Sequence, residues 1–267
     1  MSTLFEHMPI TTIAPWFGGK RTLTPRIVKE LGEHRVYWEP FVGGISIILG
    51  KPPCAMETIN DLHGELVNLA RVVQHDELAP ALFGKLNRTL LSEELHTDAA
   101  ERWKARRIQP APESPDLDRA YDYFLCCWLG RNGVAGTQSY NQGFCARYTA
   151  KGGHAAKRFT SAVESIPAWW ERLRNVTVMN RDGFELLERI DDAPRTAIYL
   201  DPPYVEKGAT YTHDFDQADH ARLAKAVRRF QHARVVISYY DHPTVRDLYA
   251  GWTLVPCPMT KALVNQG

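Results

Sequence analysis

An α/β fold, a parallel sheet interrupted by a mainly helical insertion, is the class that this 267-residue chain predicts. Three observations carry it. Short apolar runs alternate with amphipathic ones up to about residue 75 and again from Val176 onward, the rhythm of strand–helix units. Several of those apolar runs stop at a carboxylate or at a glycine turn, and open α/β sheets gather ligands at such strand ends. Between them the rhythm breaks into helical patches and a basic, glycine-rich stretch. The expected organisation is a sheet domain of 1–75 and 176–267, with an insertion at 76–175.

Bulk composition narrows the class. Hydrophobic content of 44% and charged content of 24% are ordinary for a soluble globular protein. A formal net charge of +1 excludes a generic polyanion binder, so any nucleic-acid surface must be local. The five cysteines form no C-x-x-C pair and no histidine-partnered spacing, which reads as free thiols in a reducing compartment and no zinc site. Met1–Pro9 lacks a basic region followed by an apolar core, and no apolar run approaches membrane-spanning length. The expected location is the cytoplasm.

In chain order, the first informative stretch is Pro15–Lys20, P-W-F-G-G-K, followed by a helical run from about Thr22 to Leu31. Two glycines before Lys20 let backbone approach a ligand closely, but the Walker spacing is absent. Trp16 either covers a flat ligand or packs in the core. Val36–Ile48 reads as a strand ending at Glu39, a turn through Gly43 and Gly44, and a helix start, the outline of a nucleotide site. Some 18 residues beyond Gly43, Ile59-Asn60-Asp61 is another strand end, where a carboxylate can accept from both hydroxyls of a ribose. Apolar residues at Leu62, Leu66, Leu69, Val72 and Val73 then predict a helix over Leu62–Val73.

The insertion opens with helical patches and a break at Pro110–Pro115, and Tyr121–Leu129 is apolar enough to be buried. Arg131–Val163 differs: it has basic residues, five glycines and several side-chain amides, and no acidic residue. Widened to Glu101–Arg181, the segment holds thirteen basic residues against seven acidic ones. A solvated loop explains this stretch alone; beside the strand tip at Asp201–Tyr204, read below as acting on a base, contacts to phosphates and base edges explain it better. Arg131, Asn132, Arg147, Lys151, Lys157 and Arg158 are the candidates. A helix over Pro167–Leu173 and a strand over Val176–Met179 follow. Asp182 then either reads the amino group of an adenine ring or caps the helix Phe184–Ile190.

The second half turns on Thr196–Tyr204, T-A-I-Y-L-D-P-P-Y. Ala197–Leu200 reads as a buried strand that Pro202 and Pro203 must stop. The tip therefore presents a carboxylate, a rigid loop and an exposed ring. An exocyclic amine on a base is a poor nucleophile because its lone pair is delocalised. Two acceptors on its N–H bonds, Asp201 Oδ and the Pro202 carbonyl, favour a pyramidal nitrogen that can attack. Tyr204 can stack on a base swung out of its duplex. For D-P-P alone, a proline-capped turn is an equally good explanation. A helix over Ala218–Phe230, a strand over Arg234–Tyr239 and a helix over Pro243–Tyr249 complete the alternation, with a further strand at Trp252–Pro256.

In this order the motifs resemble the α-group DNA N6-adenine methyltransferases, the Dam-type family with a D12-class catalytic domain. P-W-F-G-G-K resembles the N-terminal cofactor motif and E-P-F-V-G-G the F-x-G-x-G motif. I-N-D-L-H-G-E-L-V-N resembles the acidic ribose-binding motif, L-D-P-P-Y the catalytic tetrapeptide, and V-I-S-Y-Y-D the strand after it. The match runs from Ala14 to Tyr249, loosely across the insertion. It implies a Rossmann-like S-adenosylmethionine-dependent methyltransferase sheet with an inserted target-recognition domain. It also implies transfer to N6 of a flipped-out adenine in double-stranded DNA, with S-adenosylhomocysteine as product and no metal. Trp16, Lys20, Phe41, Gly43, Gly44, Asp61, Asp182 and Asp201 would hold the cofactor; Asp201, Pro202, Pro203 and Tyr204 would carry the chemistry; Arg131–Arg158 would lie in the target-recognition region. A monomer is expected, with room for a restriction endonuclease in the same system. Cytosine N4, RNA adenine, another amino group and a binding-only relative stay open as alternatives. Two departures stand out: Ile45 occupies a place where the family often has a small residue, and the family's final antiparallel strand is not legible before Gly267.

Overall fold

A computed structural model describes residues 10–106, 108–130, 135, 143–145, 155–205 and 211–257. Five strands, β1 (Val36–Glu39), β2 (Met56–Asn60), β3 (Thr177–Met179), β4 (Thr196–Leu200) and β5 (Arg234–Ile237), form one sheet in the order β3-β2-β1-β4-β5. Every pairing is parallel, with Val36 opposite Met56 on one side and Thr196 on the other. The interior strand β4 is buried at all five residues, as a parallel strand covered on both faces must be. Its side chains alternate between two cores: Ala197 and Tyr199 join one, Ile198 and Leu200 the other.

Helices fill both faces. On the first lie α1 (Thr24–Leu31), α2 (Ser46–Gly50), α3 (Gly64–Gln74), α4 (Leu78–Asn87), α5 (Glu93–Lys104), α6 (Leu117–Leu129) and α7 (Ala155–Leu173). On the second lie α8 (Gly183–Arg189) and α9 (Gln217–Val227), with α10 (Pro243–Leu248) against α9. Local chemistry sets several starts: Ser92, Asp116 and Asp182 accept amides of the first turn, and Asp216 with Asp219 forms a capping box. The helices of the insertion share one apolar cluster with Tyr37, Ile59 and Tyr199 of the sheet, so these helices pack continuously with the sheet.

Three element expectations need correction. Helix α7 begins at Ala155, not at Pro167, and carries Pro167 inside its 19 residues. Phe159, Ala162, Val163, Ile166, Trp169 and Leu173 form its buried stripe, and that burial outweighs the backbone bond the proline removes. Ala155–Val163 is therefore helix rather than part of the glycine-rich loop. Strand β5 stops at Ile237, and Trp252–Pro256 is not a strand; Thr253, Leu254 and Pro256 are exposed there, without the burial that would favour pairing.

Beneath the sheet, α7 is fixed to β2 by ions. Arg172 grips Glu57 with two bonds of 2.6 and 2.8 Å, and Lys51 adds a third at 2.5 Å. Burial pushes the Glu57 carboxyl up, but its bonds to Arg172 and Lys51 outweigh that and hold it below the usual range. No helix among the described residues is long and apolar enough to cross a membrane.

The strand order locates the site. From β1 the chain moves outward through β2 to β3, then returns to place β4 on the other side of β1. Connections leaving β1 and β4 diverge to opposite faces, and a crevice opens where they part.

Candidate active site

The crevice is an open cleft of about 730 Å³ at the C-terminal ends of β1, β2 and β4. Aromatic rings, among them Trp16, Phe41 and Phe215, wall it, and Asp61, Asp201 and Asp214 bring carboxylates to it. Of the residues expected to hold a cofactor, Trp16, Phe41, Gly43, Asp61 and Asp201 line it. Gly44, Lys20 and Asp182 stand just outside that lining.

The glycine turn is built against the N-terminal segment. The indoles of Trp128 and Trp169 donate to the carbonyls of Ile13 and Ile10 at 3.1 and 2.7 Å, fastening that segment to α6 and α7. Thr12 Oγ1 and the Ile13 amide both donate to the Gly44 carbonyl. Gly43 has a φ of +49°, and a Cβ there would lie 2.9 Å from Trp16 Nε1, so backbone and indole share one layer. Gly44 packs on Thr12 and Ala14. Ile45 follows in the left-handed region, φ 64° and ψ 22°, with its side chain fully buried. That conformation costs a branched residue about 1–2 kcal/mol, which burial of its side chain, worth about 1.5–3 kcal/mol, offsets.

Asp61 ties the turn to the start of α3. Its two oxygens accept the Gly43 and His63 amides, each at 2.9 Å. Burial raises this carboxyl, and those amides oppose the rise. An ionised carboxylate offers about four acceptor sites, so Asp61 retains capacity for a hydroxyl. His63 caps α3, its Nδ1 accepting from the Leu66 amide. Burial and His213 push the imidazole down to about 3, so it stays neutral, with its proton on Nε2.

Two asparagines that sequence reasoning passed over clamp the strand ends. Asn60 donates to the Pro40 and Arg181 carbonyls and accepts from the Arg181 amide. Asn180 donates to the Asp61 carbonyl and accepts from the Ala111 amide. Both sit at strand ends beside carboxylates, the only signal the sequence offers for them. Asp182, between these clamps and α8, accepts the Phe184 amide at 2.7 Å through Oδ1, which is the capping role.

At the tip of β4, Lys20 Nζ lies 2.7 Å from Asp201 Oδ2, and the Tyr204 hydroxyl donates to Oδ1 at 3.1 Å. Burial raises the Asp201 carboxyl against the pull of Lys20 and Tyr204. Tyr204 is not the exposed ring expected. It is 7% exposed, because Tyr240 meets it edge-on at 4.6 Å and the Lys20 ammonium lies 5.0 Å from its centroid. Tyr240, half exposed, is the ring that faces outward here; the aromatic pair Tyr239-Tyr240 after β5 was its only sequence mark.

Of the expected DNA contacts, Arg131, Asn132, Arg147 and Lys151 lie outside the described residues. Lys157 is exposed on the first turn of α7. Arg158 is half-buried and donates to the carbonyls of Trp128 and Gly130, both at 2.8 Å. It caps the end of α6, a use of its guanidinium that competes with any phosphate.

A family model for the D12 class N6 adenine-specific DNA methyltransferases matches residues 16–261. Two relatives from strains of Vibrio cholerae serotype O1, each named DNA adenine methylase, are 24% identical over 267 residues. Each alignment covers 94% of this chain and 89% of the relative.

Proposed function

The chain belongs to the D12 class of N6 adenine-specific DNA methyltransferases and methylates adenine in DNA at specific sites, and on that premise we propose that S-adenosylmethionine is its methyl donor, held in the cleft between β1 and β4. The cleft fits such a molecule. Aromatic walls suit a flat base, Asp61 retains acceptor capacity for ribose hydroxyls, and the bare backbone at Gly43 admits close approach. Trp16, Phe41, Gly43, Gly44, Asp61, Asp182 and Asp201 form the proposed binding set, Asp182 through the oxygen its cap leaves over.

Bound there, the donor supplies an electrophilic methyl on a sulfonium. The residues of the chain act on the other reactant. Asp201 accepts one N–H of the adenine amine, and the Pro202 carbonyl, aimed by the rigid Pro202-Pro203 turn, accepts the second. The nitrogen lone pair then localises toward the methyl. Once N6 holds four bonds it must release a proton, and Asp201 Oδ is the acceptor at hand. Phe41, Phe215 and Trp16 give the cleft apolar walls. Tyr204 orients the carboxylate through its hydroxyl. Arg131, Asn132, Arg147, Lys151 and Lys157 would meet double-stranded DNA. Five free thiols agree with a cytoplasmic location; a monomer, with or without a restriction endonuclease partner, completes the reading.

The observation that carries this reading is the placement of the Asp201 carboxylate at the tip of β4, on the cleft. Its test is transfer from methyl-labelled S-adenosylmethionine to unmethylated genomic DNA, followed by nucleoside analysis. Label in N6-methyladenine is expected. Label in N4-methylcytosine would overturn the substrate, and no label from folded, donor-bound protein would overturn the reaction.

A further inference from the structure

We propose that Lys20 is a positioning residue for methyl transfer, acting on Asp201 rather than on the methyl donor and holding that carboxylate ionised and aimed at the cleft. The proposal rests on the role given to Asp201 above. The resemblance places Lys20 among the cofactor contacts; the structure gives its ammonium other partners.

Geometry is the first support. Lys20 is 7% exposed, and its Nζ lies 2.7 Å from Asp201 Oδ2 and 2.6 Å from the Gly18 carbonyl. It is not among the residues lining the cleft. The loop that delivers it is shaped for the purpose. Gly18 has a φ of +72°, which glycine adopts without strain. The Tyr211 hydroxyl donates to the Phe17 carbonyl at 3.2 Å and lies where a Cβ at Gly18 would be 3.3 Å away. An ammonium so buried needs a counter-charge, and Asp201 supplies it from 181 residues away.

The chemistry follows from counting lone pairs. An ionised carboxylate offers about four acceptor sites. Lys20 takes one on Oδ2 and Tyr204 one on Oδ1, which leaves capacity for an adenine N–H. A protonated Asp201 would instead present a hydrogen toward the amine and lose its use. The groups acting on Asp201 are unequal. Burial favours the protonated form, and Lys20 is the cation that opposes it, with help from the Tyr204 hydroxyl. Glu39 at the end of β1, Tyr199 on β4, Tyr211 and Tyr239 also lie within its field and supply no positive charge.

The test uses the full chain with Lys20→Met and Lys20→Arg. Carbon-13 NMR of labelled aspartate in ligand-free protein, with Asp201 assigned by difference against Asp201→Asn, reads the carboxylate directly. In Lys20→Met its midpoint should move up by about one pH unit or more, and Lys20→Arg should return it most of the way. The acid limb of kcat should move with it, so that Lys20→Met loses about tenfold at neutral pH and recovers part of that in alkali. Lys20→Gln, which keeps a donor without the charge, replaces Lys20→Met if that variant fails to fold, with the same upward move expected. An unmoved Asp201 midpoint in a folded uncharged variant overturns the proposal. So does a raised KM for S-adenosylmethionine with an unmoved acid limb, which would return Lys20 to the donor. If the wild type transfers no methyl group, the functional reading falls, and the NMR titration alone decides whether Lys20 governs Asp201.

Discussion

Beneath the sheet, Glu57 meets two cations, Lys51 and Arg172; at the sheet's C-terminal edge, Asp201 meets one, Lys20. Both carboxylates are largely buried, and the outcomes are opposite. At Glu57 the bonds to Arg172 and Lys51 overcome burial and the carboxyl is lowered. At Asp201 burial overcomes one lysine and one hydroxyl, and the carboxyl is raised. The first group is saturated and serves only to join α7 to β2. The second is left short of donors, and that shortage is what a reacting amine can fill.

The largest effect should come from breaking the saturated group. Glu57→Gln strands two buried cations and should cost about 3–5 kcal/mol of stability by urea denaturation. Asp201→Asn leaves only one cation, Lys20, without its counter-charge and should cost clearly less; equal costs would erase the distinction. Activity should invert the ranking. Asp201→Ala should lower methyl transfer by about 100- to 1,000-fold while DNA affinity changes little, and unchanged turnover would remove Asp201 from the chemistry.

Acid sharpens the contrast. The Glu57 carboxyl is depressed in the fold, so its stabilisation is present above the ordinary glutamate value of about 4.3 and is lost as pH falls through the folded value. Asp201 is raised, so its contribution is greatest below the ordinary aspartate value and is lost as pH rises through the folded one. Plots of Tm against pH should therefore converge in acid for wild type and Glu57→Gln. Parallel curves would show that Glu57 does not carry the acid dependence. The smallest effect belongs to an exposed cation, Lys157 on the first turn of α7. Lys157→Gln should leave stability within about 0.5 kcal/mol and make the salt dependence of DNA binding shallower by about one in log–log slope. An unaltered slope would remove Lys157 from the interface.

What the sequence made legible follows the same division. Strand β1 was readable to the residue, Val36–Glu39, because an apolar run ended at a carboxylate and a glycine turn. Asp61 and Asp201 were readable because each stands where a β-branched run meets a breaker. The Lys20–Asp201 pair was not, since nothing local in P-W-F-G-G-K specifies a partner 181 residues on. The same holds for Asn60 and Asn180, whose work is to accept and donate across strand ends. Tyr204 was misjudged because its burial depends on Tyr240, a neighbour only in three dimensions. The start of α7 was misplaced because Pro167 suggested a first turn, while the buried stripe from Phe159 to Leu173 decided otherwise. Arg158 reads as one more cation of a basic stretch, but its acceptors are carbonyls at the end of α6.

That last residue has a consequence for how the end of α6 is held. Arg158 joins the first turn of α7 to the end of α6, and the Cys145 amide donates to Leu129 beside it. Gly130 pairs with Phe144, and buried Ala135 pairs with Trp16 on the cleft wall. Arg158 thus closes a junction that the core already holds, and its loss would leave the Trp128 and Gly130 carbonyls without that donor at the end of α6.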